Sequence, residues 1–170
     1  MSEIRVNGLA DLQKFLDQLP AKIETNVMRG ALRAGAKAVL EAARQNAPVG
    51  EPSETNKRKY SLYAGALRDS LRLSVKIDRR KSQVVARVVA GGKSKKTGAD
   101  VYYSNMVEFG TRKHIIGDGQ HPGVAARPFL RPALDSQASS AVAATGEYIK
   151  KRLATKNGLD TSEINIEAEE

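Results

Sequence analysis

AKIETNVMRGALRAGAKAVLEAARQNAP, residues 21–48, is the stretch on which the fold turns. Ile23, Val27, Ala31, Ala34, Ala38 and Ala42 recur at three- and four-residue spacing, which puts them on one face of a helix, and Pro48 ends it. Such a helix runs for about seven turns. Alanine dominates its packing stripe, and Gly30 and Gly35 stand alongside. With so little side chain on that face, a neighbouring element can approach the backbone closely. The spacing predicts the spine of the domain here.

Upstream, Asn7 can cap a shorter helix whose Leu9, Leu12, Phe15, Leu16 and Leu19 share a face and which Pro20 stops. Downstream, residues 48–63 hold Gly50, Pro52, Ser53, Glu54, Thr55, Asn56 and the basic run Lys57, Arg58, Lys59. They have neither a helical nor a strand period and read as an exposed loop. Gly65–Leu71 suits one or two helical turns. Leu73, Val75 and Ile77 then alternate with polar residues as a half-buried strand over 73–78, and β-branched Val84–Ala90 gives its hairpin partner. Residues 91–100, GGKSKKTGAD, are glycine-rich and basic but lack the spacing of a phosphate-cradling loop, and they read as a hairpin or insertion loop.

Tyr102, Met106 and Phe109 have helical spacing, so Val101–Phe109 is expected to form a short helix with Gly110 as a left-handed cap. Thr111–Arg127, with Gly117, Gly119, Pro122 and Gly123, has no period and reads as a long loop of the kind that often carries function. Pro128 and Pro132 then open a final helix bearing Leu134, Ala138, Ala141, Val142, Thr145, Tyr148, Ile149 and Leu153. The expected fold is α+β: long N- and C-terminal helices packed on a small antiparallel sheet with extended loops. A single domain is expected over 1–156, followed by an acidic tail, 157–170, too polar to bury and expected to be disordered.

Composition narrows the function. The chain has no cysteine, which excludes disulfides, thiolate nucleophiles and cysteine zinc sites. No run of about 18 apolar residues exists to span a bilayer, and polar Met1–Asn7 lacks the features of a secretion signal, so the chain is expected to stay where it is made. The net charge is +9, yet residues 157–170 hold Asp160, Glu163, Glu167, Glu169 and Glu170 with no base, so the body is more basic than the whole. A basic body suits DNA, an anionic membrane or an acidic protein surface, and charge alone does not choose.

Candidate chemistry is sparse. His114, Asp118 and His121 lie within eight residues, but their spacing matches no zinc signature and no fourth ligand is evident, so surface-loop histidines are favoured over a metal site. No catalytic residue, cofactor or metal is expected. In VEFGT, Glu108 has no partner acid or base. Here the residues suggest structure: Phe109 packing inward, Gly110 turning the chain, Thr111 bonding the turn, and Glu108 pairing with an arginine within or across subunits. In RPFLRPA, residues 127–133, the two prolines preset the course of Phe129 and Leu130, while Arg127 and Arg131 suit carboxylate or phosphate partners. Phe129 reads equally well as an interface anchor and as a core residue.

Five strings occur in order: GLADLQKFL (8–16), AARQNAPVG (42–50), GALRDSL (65–71), YYSNMVEFGT (102–111) and RPFLRPAL (127–134). Their order and spacing resemble the tail-completion or head-tail joining proteins of long-tailed bacteriophages, including minor tail protein Z-like subunits. The resemblance covers residues 4 to about 152 and implies a non-enzymatic virion protein, made in the host bacterial cytoplasm and built into the head-tail junction. It implies a homo-oligomeric ring, a hexamer by expectation, between a head connector or stopper protein and a tail terminator or tail tube protein. DNA would pass through the ring without sequence specificity, and no membrane is involved. Glu108, Phe109, Gly110, Thr111, Arg127, Phe129 and Arg131 become candidates for a subunit or partner interface. Lys57, Arg58, Lys59, Lys93, Lys95 and Lys96 become candidates for loops facing DNA, since passing DNA must be attracted without being held. The competing reading is a stand-alone basic nucleic-acid-binding protein, for which no reading motif is present.

Overall fold

The computed structural model describes residues 5–7, 21–78, 80, 83–116, 119–157 and 167–169, with the side chains of 5–7, 21–24, 116, 156–157 and 167–169 excepted. In chain order the elements are β1 (Arg5–Asn7), α1 (Ala21–Asn46), α2 (Glu54–Tyr60), α3 (Ala66–Ser70), β2 (Arg72–Asp78), β3 (Gln83–Val89), β4 (Gly92–Lys93) and β5 (Asp100–Val101). There follow α4 (Ser104–Phe109), β6 (His114–Ile116), β7 (Gly119–His121), α5 (Leu130–Asn157) and β8 (Glu167–Glu169). The fold is α+β, with two long helices and four two-stranded sheets among the described residues: β1–β8, β2–β3, β4–β5 and β6–β7. The expected helix over 9–19 lies outside the described residues.

The chain divides into two compact units. One comprises Met1–Val39, Leu73–Arg87 and Ser136–Glu170; the other comprises Leu40–Arg72 and Val88–Asp135. In the first, α1 meets α5 along the small-residue face. Val27, Ala31, Gly35 and Val39 are buried at every fourth position, so the buried line is an i+4 ridge flanked by the half-buried Ala34 and Ala38 that the sequence placed at its centre. A Cβ on Gly35 would overlap the Ala141 carbonyl oxygen and the Thr145 hydroxyl, and one on Gly30 would overlap the Tyr148 phenol. The close approach expected of Gly30 and Gly35 is therefore made by α5, whose Ile149 and Leu153 are buried.

The second unit is built around Leu62, Leu67, Leu71, Val101, Phe129 and Ala133, all nearly inaccessible to solvent. Arg44 near the end of α1 donates to the Leu71 carbonyl at 3.2 Å, and Arg72 donates to the Gly91 carbonyl at 2.5 Å. The Gly91 N–H donates to the Ser70 hydroxyl at 2.9 Å. These bonds hold the short α3 turn against the β4–β5 hairpin.

Two expectations change. Residues 54–60 are not loop but helix: Ser53 caps α2 by accepting from the Asn56 N–H at 3.4 Å, and Glu54 stands in the first turn. None of its residues is buried, so no apolar period announced it. The Thr111–Arg127 stretch is likewise not aperiodic, because β6 and β7 pair antiparallel with His114 opposite His121 and Ile116 opposite Gly119. Within the acidic tail, Glu167–Glu169 pairs antiparallel with Arg5–Asn7.

Candidate functional site

All seven residues proposed for an interface lie in the second unit, and their local structure follows from how α5 begins. The first N–H groups of a helix have no intrahelical acceptor and need an outside partner. The sequence before Leu130 is Arg127-Pro128-Phe129, which offers no Ser, Thr, Asp or Asn side chain as a cap. Glu108 supplies the acceptor instead. Its Oε2 accepts from the N–H of Phe129 at 2.8 Å and of Leu130 at 3.0 Å, and its Oε1 accepts from the N–H of Arg131 at 3.1 Å. The residue is 6% exposed. Burial pushes its pKa up, but the three backbone N–H bonds outweigh burial and, with the Arg131 charge, hold the carboxyl below the usual glutamate value of 4.5. The pairing expected of Glu108 is thus made mainly with backbone, and Arg131 acts on it through its charge.

This cap fixes the segment on both sides of Phe109. The Arg127 N–H donates to the Val107 carbonyl at 2.8 Å. Gly110 has φ 71 and ψ 179, a conformation open essentially to glycine alone, rather than the left-handed helical cap that was expected. A Cβ there would lie 2.7 Å from the Val124 carbonyl oxygen. Thr111 and Val124 exchange backbone bonds at 2.9 and 3.1 Å, and the Thr111 hydroxyl also accepts from the Val124 N–H at 3.0 Å. Gly110→Ala is expected to cost about 2–3 kcal/mol through the forced φ and the backbone overlap, read as a lower denaturant midpoint with an unchanged slope.

Phe109 itself does not pack inward. It is 78% exposed, whereas Phe129, whose N–H the Glu108 carboxylate holds, is fully buried. Phe129 is therefore core and not a surface anchor. Arg127 and Arg131 are exposed, as are Arg112 and Lys113. Beyond Thr111 the β6–β7 arm carries Ile115, also 78% exposed.

Beside α4 lies an open cleft of about 650 Å³, lined among others by Val49, Pro52, Tyr63, Tyr102, Val107 and Arg127. Tyr60 and Tyr102 meet tilted by 46° with ring centroids 4.6 Å apart, and Tyr103 meets Tyr102 edge-on at 5.7 Å. Burial, and after it the Tyr102 and Tyr63 hydroxyls, raise the Tyr103 pKa. Nothing in the sequence periodicity announced the cleft, whose walls come from four separate segments.

The basic candidates fall on neighbouring elements. Lys57, Arg58 and Lys59 stand on α2, whereas Lys93 is in β4 and Lys95 and Lys96 in the turn after it. Gly98 in that hairpin comes close to Ser61 just past α2. Lys57 bonds Glu54 at 2.9 Å and approaches Glu51 at 3.8 Å, and the Glu54 hydrogen bond raises its pKa, so it is the least free of the six. The rings of His114 and His121 face each other at 4.9 Å across β6–β7. His114 Nδ1 contacts the Arg112 carbonyl at 2.8 Å, and His121 Nδ1 accepts from the Gly123 N–H at 3.1 Å. Asp118 lies outside the described residues, and among those described no group of three metal-ligating side chains gathers.

The HK97-gp10-like family model, described as "Bacteriophage HK97-gp10, putative tail-component", matches residues 10–110, more than half of the chain. The chain belongs to this family. The match takes in the α1 spine, the β2–β3 and β4–β5 hairpins and α4 with Glu108, Phe109 and Gly110, so the outward Phe109 lies inside the HK97-gp10-like region. As a phage tail component, the HK97-gp10-like chain is a structural virion protein that works in contact with other virion proteins. No curated protein and no solved structure matches it. No described helix is long and apolar enough to cross a membrane.

Proposed function

We propose that the chain is a non-catalytic subunit of a ring at the head-tail junction. It docks the finished tail to the connector and frames the channel through which DNA passes. The observation that carries this reading is the exposed Phe109, held outward by the Glu108 cap and Gly110 inside the region shared with the phage tail family. A large exposed aromatic side chain on a hydrogen-bonded backbone suits assembly, since little backbone freedom is lost when a partner covers it. In this reading a connector or stopper protein lies on one side of the ring, and a tail terminator or tube protein on the other.

The basic residues of α2 and the β4–β5 turn supply a positive field near the channel. Lys93, Lys95 and Lys96 are exposed on a two-stranded hairpin, which favours loose attraction of phosphate over fixed contacts. Lys57, tied to Glu54, contributes least.

Deleting the gene from its phage or prophage tests the reading. Electron microscopy should then show filled heads and finished tails that remain separate. Normal joined virions would refute it. A stand-alone DNA-binding protein would instead give salt-sensitive affinity for short duplexes and leave particles intact.

A further inference from the structure

Exposed cations of the second unit fall into two groups of different make-up. Lys57, Arg58 and Lys59 of α2 and Lys93, Lys95 and Lys96 of the β4–β5 hairpin share their elements with no exposed large apolar side chain. Residues 104–134 differ. There Met106, Phe109, Ile115, Val124 and Leu134 are exposed, and so are Arg112, Lys113, Arg127 and Arg131. Hydrogen bonds draw these segments together: Arg127 donates to the Val107 carbonyl, Thr111 exchanges bonds with Val124, and Glu108 accepts from Leu130 and Arg131. Met106 and Phe109, three residues apart on α4, share one side of it.

Charge in this stretch is one-sided. By sequence its four bases stand against Glu108 and Asp118. Glu108 is 6% exposed and taken up by the start of α5, and Asp118 lies outside the described residues. Arg112, Lys113 and Arg127 form no ion pair among the described residues.

We infer that this surface docks a different virion protein, whose face takes Phe109 and Met106 into an apolar depression rimmed by Asp and Glu side chains that meet Arg112, Lys113 and Arg131. An acidic protein face fits better than DNA. A duplex presents mainly phosphate to its surroundings and offers little to Met106, Phe109 and Ile115. Phe, Met and Arg are the residues enriched where proteins meet, and Lys is depleted there. The lysine-rich group on α2 and the β4–β5 hairpin has the opposite composition, so the two groups serve different partners. A second copy of this chain, with its net charge of +9, is a poor source of an acidic rim. The inference rests on the reading of Phe109 as an assembly anchor and adds the chemistry of what meets it.

The test replaces Phe109 with the photocrosslinking analogue benzoylphenylalanine in the full chain as its phage carries it. Irradiated particles should yield a product joining position 109 to a different virion protein, and mass spectrometry should place the link among Asp and Glu residues. Arg112→Glu with Lys113→Glu should lower the yield of that product about tenfold or more, because like charges then face each other. Lys95→Glu with Lys96→Glu should leave it unchanged. Where reversal at 112 and 113 stops particle assembly, changing the linked Asp or Glu of the partner to Lys should restore it. A link to DNA, to another copy of this chain or to a base-rich site would overturn the inference. So would the lack of any product, a yield indifferent to reversal at 112 and 113, or assembly that the compensating change fails to restore. Joined particles after gene deletion would remove the head-tail position without touching a cross-link to an acidic virion protein. A cross-link to DNA would remove the acidic partner and leave the deletion phenotype as it is.

Discussion

Glu108→Ala is expected to destabilise the protein by about 3–4 kcal/mol, since it leaves three helix N–H groups without acceptors in a largely buried place. Glu108 accepts from Phe129, Leu130 and Arg131 at 2.8–3.1 Å, so no single water can replace it. Glu108→Gln keeps one acceptor oxygen but turns an amide NH2 towards N–H donors, and about half the loss is expected. The pH dependence has a definite sign. A carboxyl whose folded pKa lies below 4.5 contributes fully above that value, and its contribution is lost as pH falls through the lower folded value. Urea denaturation of the parent and of Glu108→Gln should therefore differ most at neutral pH and converge in acid. A gap that stays constant with pH would show that the carboxylate charge is not what holds the helix start.

The second large effect is expected at Gly35. An alanine there would drive its Cβ into the Ala141 carbonyl, which is helix backbone and cannot swing aside. α1 and α5 must then separate, at a cost of about 2–4 kcal/mol. Gly30→Ala differs in kind, because its Cβ meets the far end of the Tyr148 side chain, which can rotate away. The helix-propensity gain of about 1 kcal/mol then offsets most of the strain. Thermal unfolding should separate the two variants clearly. Equal losses would mean that the helices do not meet at Gly35.

Much of this packing was legible because it is periodic. The α1 and α5 helices, the β2–β3 hairpin and the close approach at Gly30 and Gly35 follow from apolar spacing and residue size within short windows. α2 was not legible, since a helix that buries nothing shows no stripe; its only signal was Ser53 followed by Glu54 as a cap and first turn. The β6–β7 arm was hidden in the same way, although Gly117-Asp118 between two isoleucines and Gly119 is a two-residue turn sequence. The inward reading of Phe109 failed because its position is set by a bond 21 residues away, from Glu108 to Phe129. A clue was present nonetheless: RPFLRP begins a helix without any capping side chain, which leaves its first N–H groups to water or to a distant acceptor. The cleft could not be read at all, being assembled from segments far apart in the chain.

In the proposed function the protein joins virion parts through a surface whose exposed anchor is Phe109. Phe109→Ser should leave stability within about 0.5 kcal/mol of the parent, as for most exposed positions. The most direct measurement is complementation of the gene deletion with this variant, scored by electron microscopy of the lysate. Separate filled heads and finished tails, from a protein that is folded and present at parental levels, are the predicted result. Joined, infectious particles at the parental yield would contradict it.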